Sequence, residues 1–367
     1  MSRYLGWFFL AVVMLAASAP LQALQYEVGG CRTGSGYKNF TTISAAVAGV
    51  PAGVTILVCP GVYPEQVTIT QPLTLKGIRS GNANRAVITF NPNGNQAPNV
   101  TSMLGPFYAQ VLVQNVSPAG AVSIVGITVD GSGINLGSPP PYVAGIFYAS
   151  GTSGTVNEVT ARNQMNGGVG VWVENGSSTS DTLTIENNSV HNQGFGGIWA
   201  NAATSSTLTA TVSGNFLSNL SSGGAIELLI AANGEISGNV VTSSPYPTSS
   251  AIYADGSVVI SGNLVADVNK GIGPTSGTTV KSNKLSNVRT AMALPSEDTG
   301  AITSNTIMNT VCAIDFFGGA SSSGTMSGNV INDSQYGFAG WSGPTITGNA
   351  FYNIDTIQTT SIPCPGP

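Results

Sequence analysis

A short phrase returns along the second half of the chain: one apolar residue, two small or polar residues, then asparagine. It reads Val212-Ser-Gly-Asn215, Ile236-Ser-Gly-Asn239, Ile260-Ser-Gly-Asn263, Val280-Lys-Ser-Asn283, Ile302-Thr-Ser-Asn305, Met326-Ser-Gly-Asn329 and Ile346-Thr-Gly-Asn349, with a weaker copy at Ile185-Glu-Asn-Asn188. The asparagines step by 27, 24, 24, 20, 22, 24 and 20 residues. A second landmark, a small residue followed by an apolar one, recurs as Gly145-Ile146, Gly170-Val171, Gly197-Ile198, Ala225-Ile226, Ala251-Ile252, Gly271-Ile272, Ala291-Met292, Ala313-Ile314 and Gly337-Phe338. Apolar and polar residues alternate around these marks over four to seven positions, which predicts strands, and Gly, Ser, Asn and Asp punctuate them as turns. A period of about 23 residues with two or three short strands per unit is the signature of a solenoid. Its coils stack at roughly 4.8 Å, so each asparagine meets its counterparts above and below. The ladder reads as structural, not catalytic.

One stretch breaks the pattern. Thr42 to Val50 (TISAAVAGV) predicts a short helix just before the first strand, a cap for the N-terminal end. The tail after Ile354, tied by Cys364, is expected to cover the other end. Residues 1–23 read as a secretory signal peptide: Arg3 is followed by an apolar run too short to span a membrane, then by small residues up to Ala23. No later stretch is long and apolar enough for a span. No linker divides 24–367, which is expected to form one domain.

Composition narrows the function. Only 7% of residues are charged, with 11 basic against 16 acidic and a net charge of −5, so almost no Lys or Arg is available to cluster into a nucleic-acid surface. A single histidine, His191, excludes a multi-histidine metal site. Cofactors are expected to be none, with calcium left open through residues such as Asp130. The four cysteines allow three pairings. Cys31–Cys59 and Cys312–Cys364 are preferred, because each lies toward one end of the chain. Disulfides and a leader together predict a secreted protein, extracellular or periplasmic.

The segment Phe40 to Ile78 contains Gly61-Val-Tyr63-Pro-Glu65, which matches a G-x-Y-x-E pattern. In this it resembles the opening of pectinesterases and related proteins of the pectin lyase-like superfamily, and the later repeats resemble that superfamily's parallel β-helix repeats. The resemblance implies an all-β, single-domain right-handed parallel β-helix with a short N-terminal cap helix. It implies a pectin-type activity (lyase, esterase or hydrolase) only weakly. No Q-D-T-L, L-G-R-P-W, N-T-D or R-I-K motif is present. Ile314-Asp315-Phe316-Phe317-Gly318 is similar to a D-F-x-F-G nucleophile motif with one residue missing, which makes Asp315 a candidate.

Strand alternation orders the remaining candidates. If the apolar residue of the small-apolar landmark points inward, its successor points out, giving an outer column Phe147, Trp172, Trp199, Glu227, Tyr253, Gly273, Ala293, Asp315, Ala339. Two residues on, the same side reads Ala149, Glu174, Asn201, Leu229, Asp255, Thr275 and onward. Sugar rings stack on aromatic faces and carboxylates bond their hydroxyls. Trp172, Glu174, Trp199 and Tyr253 are therefore the expected substrate contacts, and Glu227, Asp255 and Asp315 the expected catalytic acids. Lys270, Lys281, Lys284 and Arg289 cluster in sequence and are candidate contacts for an acidic polysaccharide. The expected partner is an extracellular polysaccharide of the polyuronate type, bound by a monomer. The competing expectation is a non-enzymatic surface or envelope protein that uses the solenoid as a spacer or adhesive face. The sequence leaves open whether the chain is an enzyme.

Overall fold

The computed structural model describes residues 24–364 except 33, 35, 82, 85, 93–95, 118, 134–141, 166, 231, 245–249, 276, 295–299, 317–323, 341–345 and 360–363. The expected leader, 1–23, lies outside the described residues. The strands form one sheet of 14 and one of 21, and their coil-to-coil pairings are parallel. The larger sheet is bent along its length, so each coil has three faces. Face A holds the strand before the asparagine, for example Thr207–Ser213. Face B holds the strand after it, Phe216–Leu220. Face C holds the small-apolar strand, Ile226–Ile230.

Each corner has a local cause. Between faces A and B the turn is two residues, a left-handed one followed by the ladder asparagine. Gly214, Gly238, Gly262, Gly328 and Gly348 take φ of 61 to 68° there, which glycine adopts without a Cβ clash. The asparagine then satisfies the corner. Asn263 Oδ1 accepts from the backbone N–H of Asn239 at 2.9 Å and from its Nδ2 at 3.0 Å. Asn263 Nδ2 donates to the Ile236 carbonyl and to Asn283 Oδ1, both at 2.9 Å. The same pattern runs from Asn188 to Asn349, as the ladder reading expects. Between faces B and C the bend is set by left-handed Asn192, Asn219, Asp267, Asn287, Asn309 and Asp333, residue types that tolerate positive φ. Inward side chains from all three faces merge into one core running from Val28 to Phe338.

The cap helix spans Ile43–Gly49, with Thr42 as N-cap, and buries Ile43, Ala46 and Val47. The G-x-Y-x-E segment serves this cap. Glu65 accepts from the Ile43 and Ser44 N–H groups at 2.8 and 2.9 Å, and the Tyr63 hydroxyl donates to the Cys59 carbonyl at 2.8 Å. The disulfides are Cys31–Cys59 and Cys312–Cys364. The tail, however, does not bring Cys364 across the last coil. Ile354 still belongs to the strand Ala350–Gln358, and Cys364 is bonded to Cys312, two coils back. Tyr352 and Ile357 of the last coil are exposed. Among the described residues, no helix is long and apolar enough to cross a membrane.

Candidate functional site

Face C carries the outer column in the expected register. Leu112, Phe147, Trp172, Trp199, Glu227, Tyr253 and Gly273 pair coil to coil, and Ala293, Asp315 and Ala339 continue the row. Glu174 pairs with Asn201, and Asn201 with Leu229. The column divides into three stretches.

The first is closed. Trp172 and Trp199, expected as an open stacking platform, are 1% and 7% exposed. They are covered because strand Val100–Ser102 turns back antiparallel on Gly105–Val113, and aromatic residues fill the space beneath. Phe107 lies 5.0 Å from Trp172, Trp172 lies 5.4 Å from Trp199, and Phe195 lies 4.7 Å from Trp199, centroid to centroid. Glu174 is part of this closure. Its carboxylate accepts from the Met103 N–H at 3.0 Å and from Trp172 Nε1 at 3.2 Å. Burial raises its pKa, and those bonds and one from Ser102 offset part of the rise. In this state neither tryptophan offers a ring face to solvent.

The second stretch, the candidate groove, is partly open: Tyr253, Asp255 and Ala293 are half-buried. Glu227 follows Trp199 in the column and is 6% exposed. Its Oε1 accepts from the Gly224 N–H at 2.9 Å. Only glycine fits at 224, since a Cβ would lie 2.4 Å from that oxygen and 2.8 Å from the Ser250 carbonyl. Burial pushes the Glu227 carboxyl up to about 7, against the pull of the Gly224 N–H. Tyr253 pairs with Glu227, and Asp255 stands two residues on, half-buried, accepting from the Thr275 hydroxyl at 2.7 Å. Gly273 and Ala293 come next, and a Cβ on Gly273 would lie 2.4 Å from the Ser250 hydroxyl oxygen, so Ser250 and Tyr253 pack over this glycine. From Glu227 to Ala293 the row spans about 14 Å at the usual strand spacing.

The third stretch is closed again. Asp315 is fully buried. Cys364 N–H lies 3.5 Å from its Oδ1, and Oδ2 has no hydrogen-bond partner among the described residues. Burial raises its pKa, while the Cys364 N–H and the nearby Lys270 charge lower it. A nucleophile that substrate must reach is not placed this way, so the open-site expectation for Asp315 is corrected. The four-cation cluster is corrected too. Lys281 is exposed on face A and Lys284 is exposed on face B, around the corner held by Asn283, so the cations do not share one surface.

Sequence reasoning missed Gly224 and Ser250, and it placed Thr275 on the same side of the column without its bond to Asp255. Gly224 was readable only as one of many glycines. It also missed a row on face B, where Asp130, Arg162 and His191 are in register. Asp130 Oδ2 accepts from Arg162 Nε at 2.8 Å. Burial would raise the Asp130 pKa, but bonds from Asn163, Ser132 and Arg162 outweigh it and hold the group below its ordinary value. For a metal, the one trio of His, Cys, Asp or Glu side chains within ligand distance among the described residues is Glu27, Cys31 and Cys59. Both sulfurs are already joined in a disulfide, so this trio does not fit a cation such as calcium.

The family described as right handed beta helix region matches residues 144–291 and 209–353. No curated protein sequence matches. Among solved structures, GH136 lacto-N-biosidase from Eubacterium ramulus is 9% identical, with a TM-score of 0.57 over 90% of this chain and 67% of that one. The mannuronan C-5 epimerase A-module from Azotobacter vinelandii is 15% identical, with a TM-score of 0.46 over 83% and 87%. Pectin methylesterase from Erwinia chrysanthemi is 13% identical, with a TM-score of 0.38 over 78% and 89%. At 9% identity the likeness to the lacto-N-biosidase is one of fold.

Proposed function

This chain belongs to the right-handed β-helix family, and on that premise we propose that it is an exported protein whose face C binds and processes an extracellular polysaccharide of the polyuronate type. The observation that carries the reading is Glu227: a buried carboxyl poised near pH 7, in register with the half-buried Tyr253. A group that is half protonated at neutral pH is suited to hand a proton to a leaving oxygen. Asp255, half-buried and bonded to Thr275, stands one coil and two residues away as the second carboxylate. Tyr253 supplies the aromatic surface between them, the role first expected of the tryptophans. Export rests on the leader at 1–23 and on two disulfides, which persist in oxidising compartments.

The test is to incubate the mature protein with polygalacturonate, methylated pectin, alginate and neutral glycans, with and without calcium, and to weigh the products. Unsaturated, water-added or de-esterified products assign lyase, hydrolase or esterase chemistry. Glu227→Gln then lowers turnover at least a hundredfold, and Asp315→Asn leaves it near wild type. Unchanged polymers across the panel favour the second reading, a non-enzymatic surface or adhesion protein, which the burial of Trp172 and Trp199 supports.

A further inference from the structure

A second concavity lies on a different side of the molecule. On the outside of face A, at the capped end, a cavity of about 770 Å³ opens to solvent, within the size range of ligand pockets. Its floor is an outward row in register, Leu57, Lys76 and Val125. One wall is the loop carrying Arg32 beside the Cys31–Cys59 disulfide. The other is Ile78 and Arg79, at the start of the hairpin Arg79–Ser80 with Ala83–Asn84, which stands between faces A and B in this coil where the later coils place two residues. Gly77 and Gly126 let that coil approach its neighbour, since a Cβ on Gly77 would lie 2.1 Å from the Gly126 carbonyl oxygen. Arg79 Nη2 pairs with Glu158 Oε2 at 3.2 Å and steadies the wall.

The charge of this cavity runs against that of the chain. Arg32, Lys76 and Arg79 line it with one acid, Glu158, in a protein whose net charge is −5. The Lys76 ammonium is exposed and has no ion-pair or hydrogen-bond partner among the described residues, and it rises between two aliphatic side chains. Cleavage after Ala23, expected from the sequence, adds the α-ammonium of Leu24 at the rim. A flat apolar strip at strand spacing, topped by cations, matches a ring that is apolar on its C–H face and anionic at its edge.

We propose that this cavity is a second, non-catalytic subsite for a short acidic oligosaccharide, with a uronate carboxylate on Lys76 and Arg32 and a sugar ring on Leu57 and Val125. The proposal deepens the polysaccharide reading above but does not depend on chemistry in the groove.

Calorimetry on the mature protein tests it with three probes: trigalacturonate, maltotriose and inorganic sulfate. Trigalacturonate binds and maltotriose does not. Lys76→Glu and Arg32→Ala each weaken binding about tenfold or more, the scale of one lost charge-assisted bond. Both side chains are exposed, so the melting temperature stays put. Lys281→Ala, which removes an exposed cation on face A outside the cavity, leaves the affinity unchanged. An affinity insensitive to Lys76→Glu overturns the proposal, as does equal binding of maltotriose or the absence of binding. Sulfate competing at the concentrations where trigalacturonate binds reduces the cavity to a bare anion site and overturns it too. Loss of binding in Glu227→Gln instead moves the sugar to the groove. The groove reading itself stands or falls on the product panel, not on this titration.

Discussion

The asparagine corner and face C are built from the same coils, yet they treat polar groups in opposite ways. At the corner, every coil from Asn188 to Asn349 repeats one arrangement, and the ladder amides are bonded on both sides. On face C, Glu174, Glu227 and Asp315 are buried with raised pKa values, and an Asp315 oxygen has no partner. The connections differ in the same sense. The turn out of face A keeps two residues from Ser213–Phe216 to Thr347–Ala350, whereas the entry to face C ranges from no break within the strand Lys284–Leu294 to the gap Asp130–Tyr142. Uniform repetition marks what holds the solenoid together. Irregular borders and buried carboxyls with raised pKa values mark where the coil has been diverted from that task.

The sharpest way to break the contrast is to open the closed stretch of face C. Trp172→Ala removes the largest buried ring of the outer cluster and the Nε1 donor to Glu174. It is expected to cost about 4 kcal/mol, the range for a large buried aromatic, read by denaturant unfolding. A loss under about 1 kcal/mol would mean that the hairpin over the tryptophans is loosely held and that the platform opens in solution. Next comes the ladder. Asn263→Ala leaves the Asn239 N–H, the Asn239 amide and the Ile236 carbonyl without their partner. Each orphaned buried group costs about 1–3 kcal/mol, tempered by entering water, so a loss of roughly 3 kcal/mol is expected.

Glu227 gives a change of opposite sign. Its carboxyl sits at about 7 in the folded chain against an ordinary 4.5. Between those values the unfolded chain has released a proton that the folded chain still holds, so stability falls as pH rises through that window. The shift corresponds to about 3 kcal/mol. Glu227→Gln should therefore melt higher than wild type at pH 8, match it near pH 4, and flatten the slope between. An unchanged slope would place the carboxyl in water and remove the proton donor from the proposed chemistry.

These expectations also show how far the sequence could be read. Period and alternation were enough for the coil, the ladder and the column from Phe147 to Ala339, because stacking makes each coil repeat its neighbour's register. What lies over a face is set by excursions that follow no period. Nothing in Val100–Ser102 announces that it folds onto Trp172, and nothing around Cys364 announces that it comes to rest against Asp315. The G-x-Y-x-E segment was legible as a family mark, but its use as a helix cap needed the positions of Ile43 and Ser44.

The smallest effect separates two ladders that look alike in sequence. Beside the buried one, a second row runs down the bend between faces B and C: Asn219 Nδ2 donates to Asn192 Oδ1 at 3.3 Å, Asn287 to Asp267 at 3.1 Å, and Asn309 to Asn287. These bonds are exposed, so water replaces a lost partner at little cost. What remains is the left-handed backbone, which Asn287 holds at φ 55° and which alanine adopts less readily. Asn287→Gly relieves that strain while deleting the side chain, so it isolates the bond, and a change within about 0.5 kcal/mol is expected. Asn287→Ala adds the backbone term and should cost about 1 kcal/mol more. If the glycine variant loses as much as Asn263→Ala, burial is not what distinguishes the ladders, and the contrast between a bonded frame and a diverted face loses its physical basis.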